Sequence, residues 1–440
     1  MVKFVAYARD QRLLLPLDLT EWVAEDDLAH FIIEAVERVD ISHFEINWRG
    51  TGKAQYHPRM MLALLIYCYA NGIFSSRRIE RATHRDIAVR YVAANTHPDH
   101  DTIAAFRRRN RAAIAEAFKQ VLLLGRELGL LQIGMVSIDG TKLDDCAAAV
   151  QQSVLQRSRG QETAEGASKI NSVRYDRLCA LEAQLEADIK DLMDKAEATD
   201  GQAEPDGQAL PENIARLETL RAKLDAAKSL LEERTQTRTT TPPPERQINL
   251  TDPDSSLMRK SCRHEFRQAY NAQAVVDADG SQLVLAVNIA QTPGDTATFE
   301  ETINELAGRL GQPTTILADA GYASQMIVGR LEDRGIEMLV ATGQSSGERK
   351  YDFRPPKPDA KPPRKPKAEW RRNMQQKLQT DQAKEKYRKR KSTVEPVFGI
   401  IKNVLGFLRF SLRGLNNVKN EWNLVTLAYN CKRIAKLKLA

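Results

Sequence analysis

Apolar residues in the first third of the chain follow helical spacing. From Pro58 to about Gly129 they recur every three or four positions, which predicts a series of packed helices. Breaks in this pattern fall at Asn71-Gly72, at Thr83 to Asp86 and at Asn95 to Asp101. An earlier helix is predicted from about Asp26 to Val39. The pattern therefore predicts an all-α N-terminal domain over residues 58–130, preceded by an N-terminal arm over residues 1–57.

The spacing changes after Leu128, where short apolar runs predict buried strands. These runs are Ile133–Ile138, Ala272–Val276, Leu283–Ile289, Thr314–Ala318 and Met338–Ala341. Two helices are predicted between the later strands, from Asp295 to Leu310 and from Ser324 to Gly335. The order predicts an α/β domain over residues 131–145 and 246–440, with a mixed sheet, its first three strands antiparallel, and helices on both faces.

A long helical segment interrupts this sheet between its first and second strands. Two leucine-rich stretches have helical spacing, and a polar stretch from Thr199 to Pro211 separates them. The apolar positions are Leu178, Leu181, Leu185, Ile189 and Leu192, then Ile214, Leu217, Leu220, Leu224 and Leu231. We interpret residues 146–245 as an inserted helical coiled-coil hairpin followed by a Thr- and Pro-rich linker, Thr235 to Pro244. Plain helix packing is the favoured role for the leucines.

Charge is distributed unevenly along the 440 residues. The net charge is +7, but residues 341–440 contain 25 Lys and Arg against 8 Asp and Glu, so this stretch carries +17 and the rest −10. A basic region on an otherwise acidic chain is typical of proteins that bind nucleic acid. A solvated tail is an alternative for Tyr351–Lys367, but it does not fit the apolar helical pattern after Lys391.

Five scattered cysteines form no Cys-x-x-Cys pair, which argues against a zinc site and favours a reducing cytoplasm. The longest apolar run, Met60 to Ala70, is too short to cross a bilayer. The N-terminus does not have the pattern of a signal peptide. We therefore expect a cytoplasmic protein without a membrane partner.

Three carboxylates stand at the ends of predicted elements. Asp139 and Asp319 each follow a buried strand, and Glu395 precedes the apolar face of a predicted helix. Each has an ordinary alternative, since Asp139-Gly140 is a common turn and Ser392 with Glu395 forms a capping box. Carboxylates from separate elements, without nearby His or Cys, suit hard cations such as Mg²⁺ or Mn²⁺.

Several basic residues accompany these carboxylates. Lys402 follows Glu395 by seven residues, two helical turns along the same side. In a separate predicted helix, Asp101 is a candidate cap and Arg107, Arg108 and Arg109 form a basic cluster. Such a helix on a small helical module is how helix-turn-helix proteins enter the major groove. An ordinary helical bundle with solvated arginines explains the cluster equally well.

The chain resembles a DDE transposase of a bacterial insertion sequence. The resemblance lies in Ser137-Ile-Asp139-Gly-Thr, in Ala318-Asp319-Ala-Gly-Tyr-Ala-Ser, and in the run from Tyr387 through Arg390 and Glu395 to Phe398-Gly and Lys402. Asp252-Pro-Asp254-Ser255, Tyr270-Asn-Ala-Gln273 and Arg409-Phe-x-Leu-Arg-Gly414 also resemble that family's motifs. The similarity is to the insertion-sequence four and five branch, nearest to its eleven-eighty-two group. One departure is that Arg390 lies five residues before Glu395, where the branch has its arginine four before and this chain has Lys391.

The resemblance implies a ribonuclease-H-like catalytic domain and a helical DNA-binding domain. It implies that Asp139, Asp319 and Glu395 are the catalytic residues and hold two Mg²⁺ ions, with Mn²⁺ as a substitute. It also implies that Tyr387, Arg390 and Lys402 hold phosphates of double-stranded DNA near the cut. Gly321 and Gly399 are expected to permit close backbone approach.

The expected partners are the terminal inverted repeats of the element and the target DNA. Two ends must be cut together, so we expect a homodimer or a larger assembly in the bacterial nucleoid. Two alternatives remain at the level of the sequence. One is a nuclease that never joins strands, and the other is a DNA-binding regulator derived from a transposase.

Overall fold

The computed structural model describes residues 19–46, 55–145, 172–199, 209–236, 247–259, 266–342 and 368–438. The chain divides into two compact units, Met1–Leu128 with Leu424–Ala440, and Gly129–Asn423. Most of the linker predicted at Thr235–Pro244 and the whole basic stretch Tyr351–Lys367 lie outside the described residues. No helix among the described residues is long and apolar enough to cross a membrane.

The first unit is helical, as the spacing predicts. Its helices are α1 (Leu28–Glu37), α2 (Pro58–Ala70), α3 (Ser76–Arg85), α4 (Ile87–Val92), α5 (His100–Arg109) and α6 (Arg111–Glu127). Pro58 opens α2, where its missing N–H costs nothing, and most of α2 is buried. The side chain of Asp99, not the predicted Asp101, caps α5 by accepting a hydrogen bond from the Thr102 amide at 2.7 Å.

The inserted hairpin consists of a short strand β2 (Ser172–Arg174) and the helices α7 (Tyr175–Thr199) and α8 (Ala209–Gln236), followed by β3 (Gln247–Asn249), which pairs with β2. Apolar side chains from both helices form one buried cluster that includes Leu178, Leu185, Leu224 and Leu231. Lys228 and Arg221 of α8 form ion pairs with Glu182 and Glu186 of α7. The predicted leucine positions thus mark the contact between two antiparallel helices.

The second unit is built on one mixed sheet. Its strands are β1 (Met135–Asp144), β4 (Ser256–Met258), β5 (Arg267–Asp277), β6 (Val284–Ala290), β7 (Thr315–Ala318) and β8 (Glu337–Val340). The order across the sheet is β4-β5-β1-β7-β8, and β6 pairs with β5. β1, β5 and β6 are antiparallel, whereas β7 and β8 run parallel to β1. This agrees with the predicted mixed sheet and its three antiparallel strands.

Helices cover both faces of this sheet. They are α9 (Phe299–Leu310), α10 (Gln325–Asp333), α11 (Glu369–Gln379), α12 (Asp381–Gly399) and α13 (Leu415–Lys438), whose C-terminal part belongs to the helical unit. α12 lies on the face that carries Asp139 and Thr141, since side chains of α12 and the turn after it contact both. Thr298, at the start of α9, donates to Gln273 on the opposite face.

The helix that carries Glu395 begins earlier than the sequence predicts. α12 starts at Asp381, capped by Thr380, so Ser392 and Glu395 lie well inside it and the capping box is excluded. Pro396 also lies inside α12 and cannot donate to the Ser392 carbonyl. The side chain of Gln282 supplies that hydrogen bond instead, at 2.9 Å. A π-helical turn, Ile400–Val404, then continues the chain beyond α12.

Candidate active site

Asp139 and Asp319 lie at the same level on neighbouring parallel strands. Met135, Val136 and Ser137 of β1 pair with Thr315, Ile316 and Leu317 of β7. Continuing this register brings Asp139 level with Asp319, just past the last paired residues. Adjacent strands are separated by about 4.8 Å, so the two aspartates are close neighbours. β1 does not end at Asp139 but continues to Asp144, which excludes a turn at Asp139-Gly140.

One oxygen of each aspartate is held by the backbone that follows it. Asp139 Oδ1 accepts from the Gly140 amide at 2.8 Å, and Asp319 Oδ1 accepts from the Gly321 amide at 2.8 Å. The pKa of Asp139 is raised to about 6, mainly by burial and also by the charge of Asp319, against the lowering effect of the Gly140 amide. A cation bound beside Asp139 would stabilise the ionised form of its carboxyl group.

A third carboxylate, Asp295, approaches the same strand ends and was not predicted as a site residue. A Cβ added to Gly321 would lie 2.6 Å from Asp295 Oδ2 and 2.9 Å from Asp319 Oδ1. A Cβ added to Gly140 would lie 2.8 Å from Asp295 Oδ1. The expected close approach at Gly321 is therefore made by carboxylates. At Gly399 a Cβ would meet nothing within 4 Å, so that position does not serve close approach.

The hydroxyl of Tyr322 is buried beside these three carboxylates. Tyr322 is 0% exposed, and its hydroxyl has no hydrogen-bond partner among the residues that the structure describes. Burial raises the pKa of this phenol, and Asp295, Asp139 and Asp319 raise it further by their charge. A buried hydroxyl without a partner costs about 1–3 kcal/mol, so such groups are uncommon outside ligand sites.

Tyr387 and Arg390 connect α12 to the two strand ends. The Tyr387 hydroxyl donates to the carbonyl of Ala318 at 3.0 Å, directly before Asp319. Arg390 Nη1 lies 3.4 Å from Asp139 Oδ2, and the two side chains are only 13% and 20% exposed. Both residues therefore lie at the predicted site, and Arg390 partly neutralises Asp139.

Lys402 reaches the same face of β1 from the π-helical turn. Its Nζ donates to the Thr141 hydroxyl, and to the Lys142 carbonyl at 3.3 Å. Thr141 lies two residues after Asp139, so its side chain is on the same face of the strand. π-helical turns are frequently found at functional sites, where they change the direction of a side chain.

Glu395 is exposed on α12, between Arg390 and Lys402 in sequence. Within the described part of the chain, no group of three or more His, Cys, Asp or Glu side chains is arranged to hold a metal ion. Asp139 and Asp319 fit a hard divalent cation by their chemistry and their mutual charge. The predicted three-carboxylate cluster with Glu395 is not assembled in this arrangement of side chains.

A basic cavity of about 600 Å³ lies beside the Tyr387 end of the site. Its cations are Lys384, Arg388 and Lys391 of α12, and Ala341 and Thr342 after β8 form part of its wall. Because Tyr387 lines this cavity and also contacts Ala318, the cavity adjoins the strand end that carries Asp319. A cavity with three cations is suited to a polyanion.

The arginines predicted to contact DNA from the helical unit do not behave alike. Arg107 is 3% exposed and donates to the Tyr69 hydroxyl at 2.7 Å, to the Phe74 carbonyl and to the Ser76 hydroxyl. Its position corrects the prediction that it contacts DNA, because these bonds use the guanidinium inside the unit. Arg108 and Arg109 are exposed at the end of α5, as a DNA-contacting role requires.

Comparison with known families agrees with this arrangement. Residues 237–431, which include Asp319 and Glu395, match the family model described as Transposase DDE domain. Residues 17–109 match the model described as Transposase domain (DUF772). No curated protein and no solved structure matches the chain. DDE transposases generally use divalent metal ions. The two matches together support a DDE transposase, the class of enzyme that moves mobile DNA elements.

Proposed function

We propose that this protein is the transposase of an insertion sequence of the four and five branch, near the eleven-eighty-two group. It binds the terminal inverted repeats of its element, cleaves a phosphodiester bond at each end and joins the freed 3′-hydroxyl to target DNA. The observation that carries the proposal is the aspartate pair at level positions on β1 and β7, inside a chain that matches two transposase models.

We propose a ribonuclease-H-like catalytic domain formed by residues 131–145 and 246–440. Three antiparallel strands followed by two strands parallel to the first, with helices on both faces, support this fold. Residues 58–130 are the proposed DNA-binding domain, with Arg108 and Arg109 as its candidate DNA contacts and residues 1–57 as an arm. Residues 146–245 are an insertion that packs through its own leucines.

Asp139, Asp319 and Glu395 are the proposed holders of two Mg²⁺ ions, for which Mn²⁺ can substitute. When bound, the ions supply Lewis-acid stabilisation of the attacking and leaving oxygens in an in-line displacement. Glu395 belongs to this proposal because it lies on α12 between Arg390 and Lys402, two residues whose side chains reach Asp139 and Thr141 of β1.

Arg390, Tyr387 and Lys402 are proposed to hold DNA phosphates beside the cut. Arg390 would leave Asp139 when a cation neutralises that carboxylate, which frees a guanidinium suited to bidentate phosphate contact. The cations of Lys384, Arg388 and Lys391 extend the basic surface from Tyr387. Such contacts release counterions, so DNA affinity will fall steeply as salt rises.

The decisive experiment is strand transfer with purified protein. A donor plasmid carries a marker between the two ends of the element, taken from the DNA that flanks this gene, and a target plasmid and Mg²⁺ are supplied. We expect marker insertions in the target plasmid from a homodimer or larger assembly. Cuts without insertions would assign a nuclease instead, and binding without cuts would assign a DNA-binding regulator. Asp319→Asn is the matched control, expected to bind the ends without cutting them.

A further inference from the structure

Asp295 is a loop residue whose carboxylate lies against the candidate active site. It lies between β6 and α9, and its two oxygens face two different glycines. Oδ1 is 2.8 Å from the place of a Cβ on Gly140, and Oδ2 is 2.6 Å from the place of a Cβ on Gly321. Because side chains alternate along β1, Asp295 approaches the strand from the face opposite Asp139. Carboxylates therefore surround the strand ends from both faces of the sheet.

Asp295 and Asp319 face one another across Gly321. Asp319 Oδ1 is 2.9 Å from the same Cβ position on Gly321 that lies 2.6 Å from Asp295 Oδ2. Burial raises the pKa of Asp295, and the charge of Asp319 raises it further. Two carboxylates in this arrangement repel one another unless a proton or a cation lies with them.

The sheet holds Asp295 in place through two polar side chains of β5. Asn271 Nδ2 donates to Asp295 Oδ1 at 2.7 Å, and Gln273 Nε2 donates to the Asp295 carbonyl at 3.1 Å. Thr298 in turn donates to Gln273 Oε1 at 2.7 Å. These contacts fix the position of the carboxylate and leave Oδ2 facing Asp319. They also account for the two buried amide side chains, Asn271 and Gln273, in the middle of β5.

Tyr322 is an independent sign that this group of carboxylates takes a ligand. Its hydroxyl is fully buried and has no hydrogen-bond partner within the described ranges, and the charges of Asp295, Asp139 and Asp319 all act on it. A hydroxyl both donates and accepts, so an ion-bound water or a ligand oxygen beside the carboxylates would satisfy it.

We propose that Asp295 belongs to the cation-binding site and acts together with Asp319, so that its negative charge sets how tightly the site binds Mg²⁺ or Mn²⁺. This inference rests on the proposed function, because it takes Asp139 and Asp319 as the residues that hold the cation. It adds a carboxylate that comes from a loop outside the three elements predicted from the sequence.

A purely structural role for Asp295 makes a different prediction. As an anchor for β5, it needs only a side-chain oxygen that accepts from Asn271 and a backbone carbonyl that accepts from Gln273. Asp295→Asn keeps both acceptors and the size of the side chain and removes only the charge. An anchor would tolerate this change without loss of cation affinity, whereas a cation-site residue would not.

The test measures Mn²⁺ binding to the full chain by isothermal titration calorimetry, without DNA. We expect Asp295→Asn to weaken Mn²⁺ binding by about tenfold, as loss of a supporting carboxylate does at other metal sites. Asp254→Asn is the control, because the Asp254 carboxylate accepts from the Leu415 amide at 2.9 Å and from Gln291, away from the strand ends. Asp295→Ser, which also removes the charge, is expected to give the same loss if Asp295→Asn does not fold.

Equal Mn²⁺ affinity in wild type and a folded, uncharged variant would overturn the inference. So would the absence of Mn²⁺ binding by the wild type. The strand-transfer experiment decides the proposed function separately. If the chain inserts the marker but wild type and Asp295→Asn bind Mn²⁺ equally tightly, only this inference is refuted. A chain that loses Mn²⁺ affinity with Asp295→Asn but never inserts the marker refutes only the proposed transposition.

Discussion

Two groups of carboxylates lie along β1, and they are built in opposite ways. The closed group is Asp145, Asp252 and Asp254, and the open group is Asp139, Asp319 and Asp295. Asp139 lies on β1, and Asp145 directly follows the last residue of that strand, Asp144. Sequence alone does not separate the groups, since Asp139 and Asp319 on the one hand and Asp252 and Asp254 on the other all lie in motifs that resemble those of DDE transposases. The difference lies in which atoms surround the carboxylate oxygens.

In the closed group, protein donors contact the carboxylates on several sides. Asp252 accepts from the Tyr270 hydroxyl at 2.8 Å and from the Gly414 amide at 3.1 Å. Asp254 accepts from the Leu415 amide, which opens α13, and Asp145 accepts from Asn249 and Ser255. The motifs around Asp252, Tyr270 and Gly414 thus join three segments to one another. Both oxygens of Asp252 and of Asp254 accept hydrogen bonds that hold the fold, and both donors to Asp145 contact its Oδ2.

In the open group, protein donors contact fewer of the carboxylate oxygens. Among the described residues, no donor forms a hydrogen bond with Asp319 Oδ2, and Asp139 Oδ2 has only the 3.4 Å contact with Arg390, whereas Asp295 takes its hydrogen bonds from Asn271 and Gln273 of β5. Glycines at positions 140 and 321 leave room for the Asp295 carboxylate, which a Cβ at either position would meet at less than 3 Å. Carboxylates that gather without enough donors indicate a missing positive charge, whereas those with donors indicate structure.

The largest expected effect compares Asp139→Asn on β1 with Asp145→Asn directly after β1. If the open group holds the catalytic cations, Asp139→Asn removes several kcal/mol of transition-state stabilisation, which lowers the rate about a thousandfold or more. Asp145→Asn keeps a side-chain acceptor for Asn249 and is expected to cleave at close to the wild-type rate. The measurement is the single-turnover rate of end cleavage in Mg²⁺. Similar losses in both variants would remove the distinction between the groups.

A smaller loss is expected from Gly321→Ala. The added methyl would lie 2.6 Å from Asp295 Oδ2 and 2.9 Å from Asp319 Oδ1, so the carboxylates must move apart. A displacement of about 1 Å at a reacting centre costs up to a hundredfold in rate. Gly329→Ala is the control, because a Cβ there meets nothing within 4 Å and alanine favours the helix. Cleavage by Gly321→Ala at the Gly329→Ala rate would show that the space above Gly321 is not used.

Tyr→Phe substitutions at Tyr270 and Tyr322 compare how much a hydroxyl in each group contributes to the free energy of unfolding. Tyr270→Phe leaves the buried Asp252 without its 2.8 Å donor and is expected to cost about 1–3 kcal/mol of unfolding free energy. Tyr322→Phe removes a hydroxyl that has no partner, so it is expected to be neutral or stabilising in the absence of metal. Urea-unfolding midpoints measured without divalent ions compare the two variants. Equal destabilisation would mean that Tyr322 is satisfied within the protein.

Strand patterns predicted this site better than local helix signals did. The apolar runs before Asp139 and Asp319 correctly identified two strands, which prove to be parallel neighbours with the two aspartates level, although β1 continues beyond Asp139 to Asp144. The start of the Glu395 helix was wrong, since Ser392, Glu395 and Pro396 are all typical of a helix N-terminus. The carbonyl that Pro396 leaves without a donor is satisfied by Gln282, more than a hundred residues away. Local sequence cannot reveal that contact.

Two features that the sequence analysis missed, the burial of Arg107 and the role of Asp295, had recognisable signals in the sequence. Arg107 follows Ile103 by four residues and so shares its buried face, which the run of three arginines obscured. Asn271 and Gln273 alternate on one face of an apolar strand and require a polar partner, which is Asp295. Asp295 itself was interpreted as the start of a helix. No sequence pattern indicates that this loop approaches Gly140 and Gly321, because that contact depends on tertiary packing.

The smallest expected effect is a change in how stability depends on pH. Burial, together with the charge of Asp252, raises the pKa of Asp145 to about 6, compared with 3.8 in an unfolded chain. Between about pH 4 and pH 6 the folded chain therefore binds more protons at this site than the unfolded chain, so stability falls as pH rises through that window and levels off above it. Asp145→Asn cannot titrate, and its unfolding free energy should decline less over the same interval. Urea-unfolding midpoints of wild type and variant from pH 4 to 7.5, in matched ionic strength, measure the difference. Parallel curves would mean that the hydrogen bonds from Asn249 and Ser255 keep Asp145 ionised over the whole pH range, despite its burial.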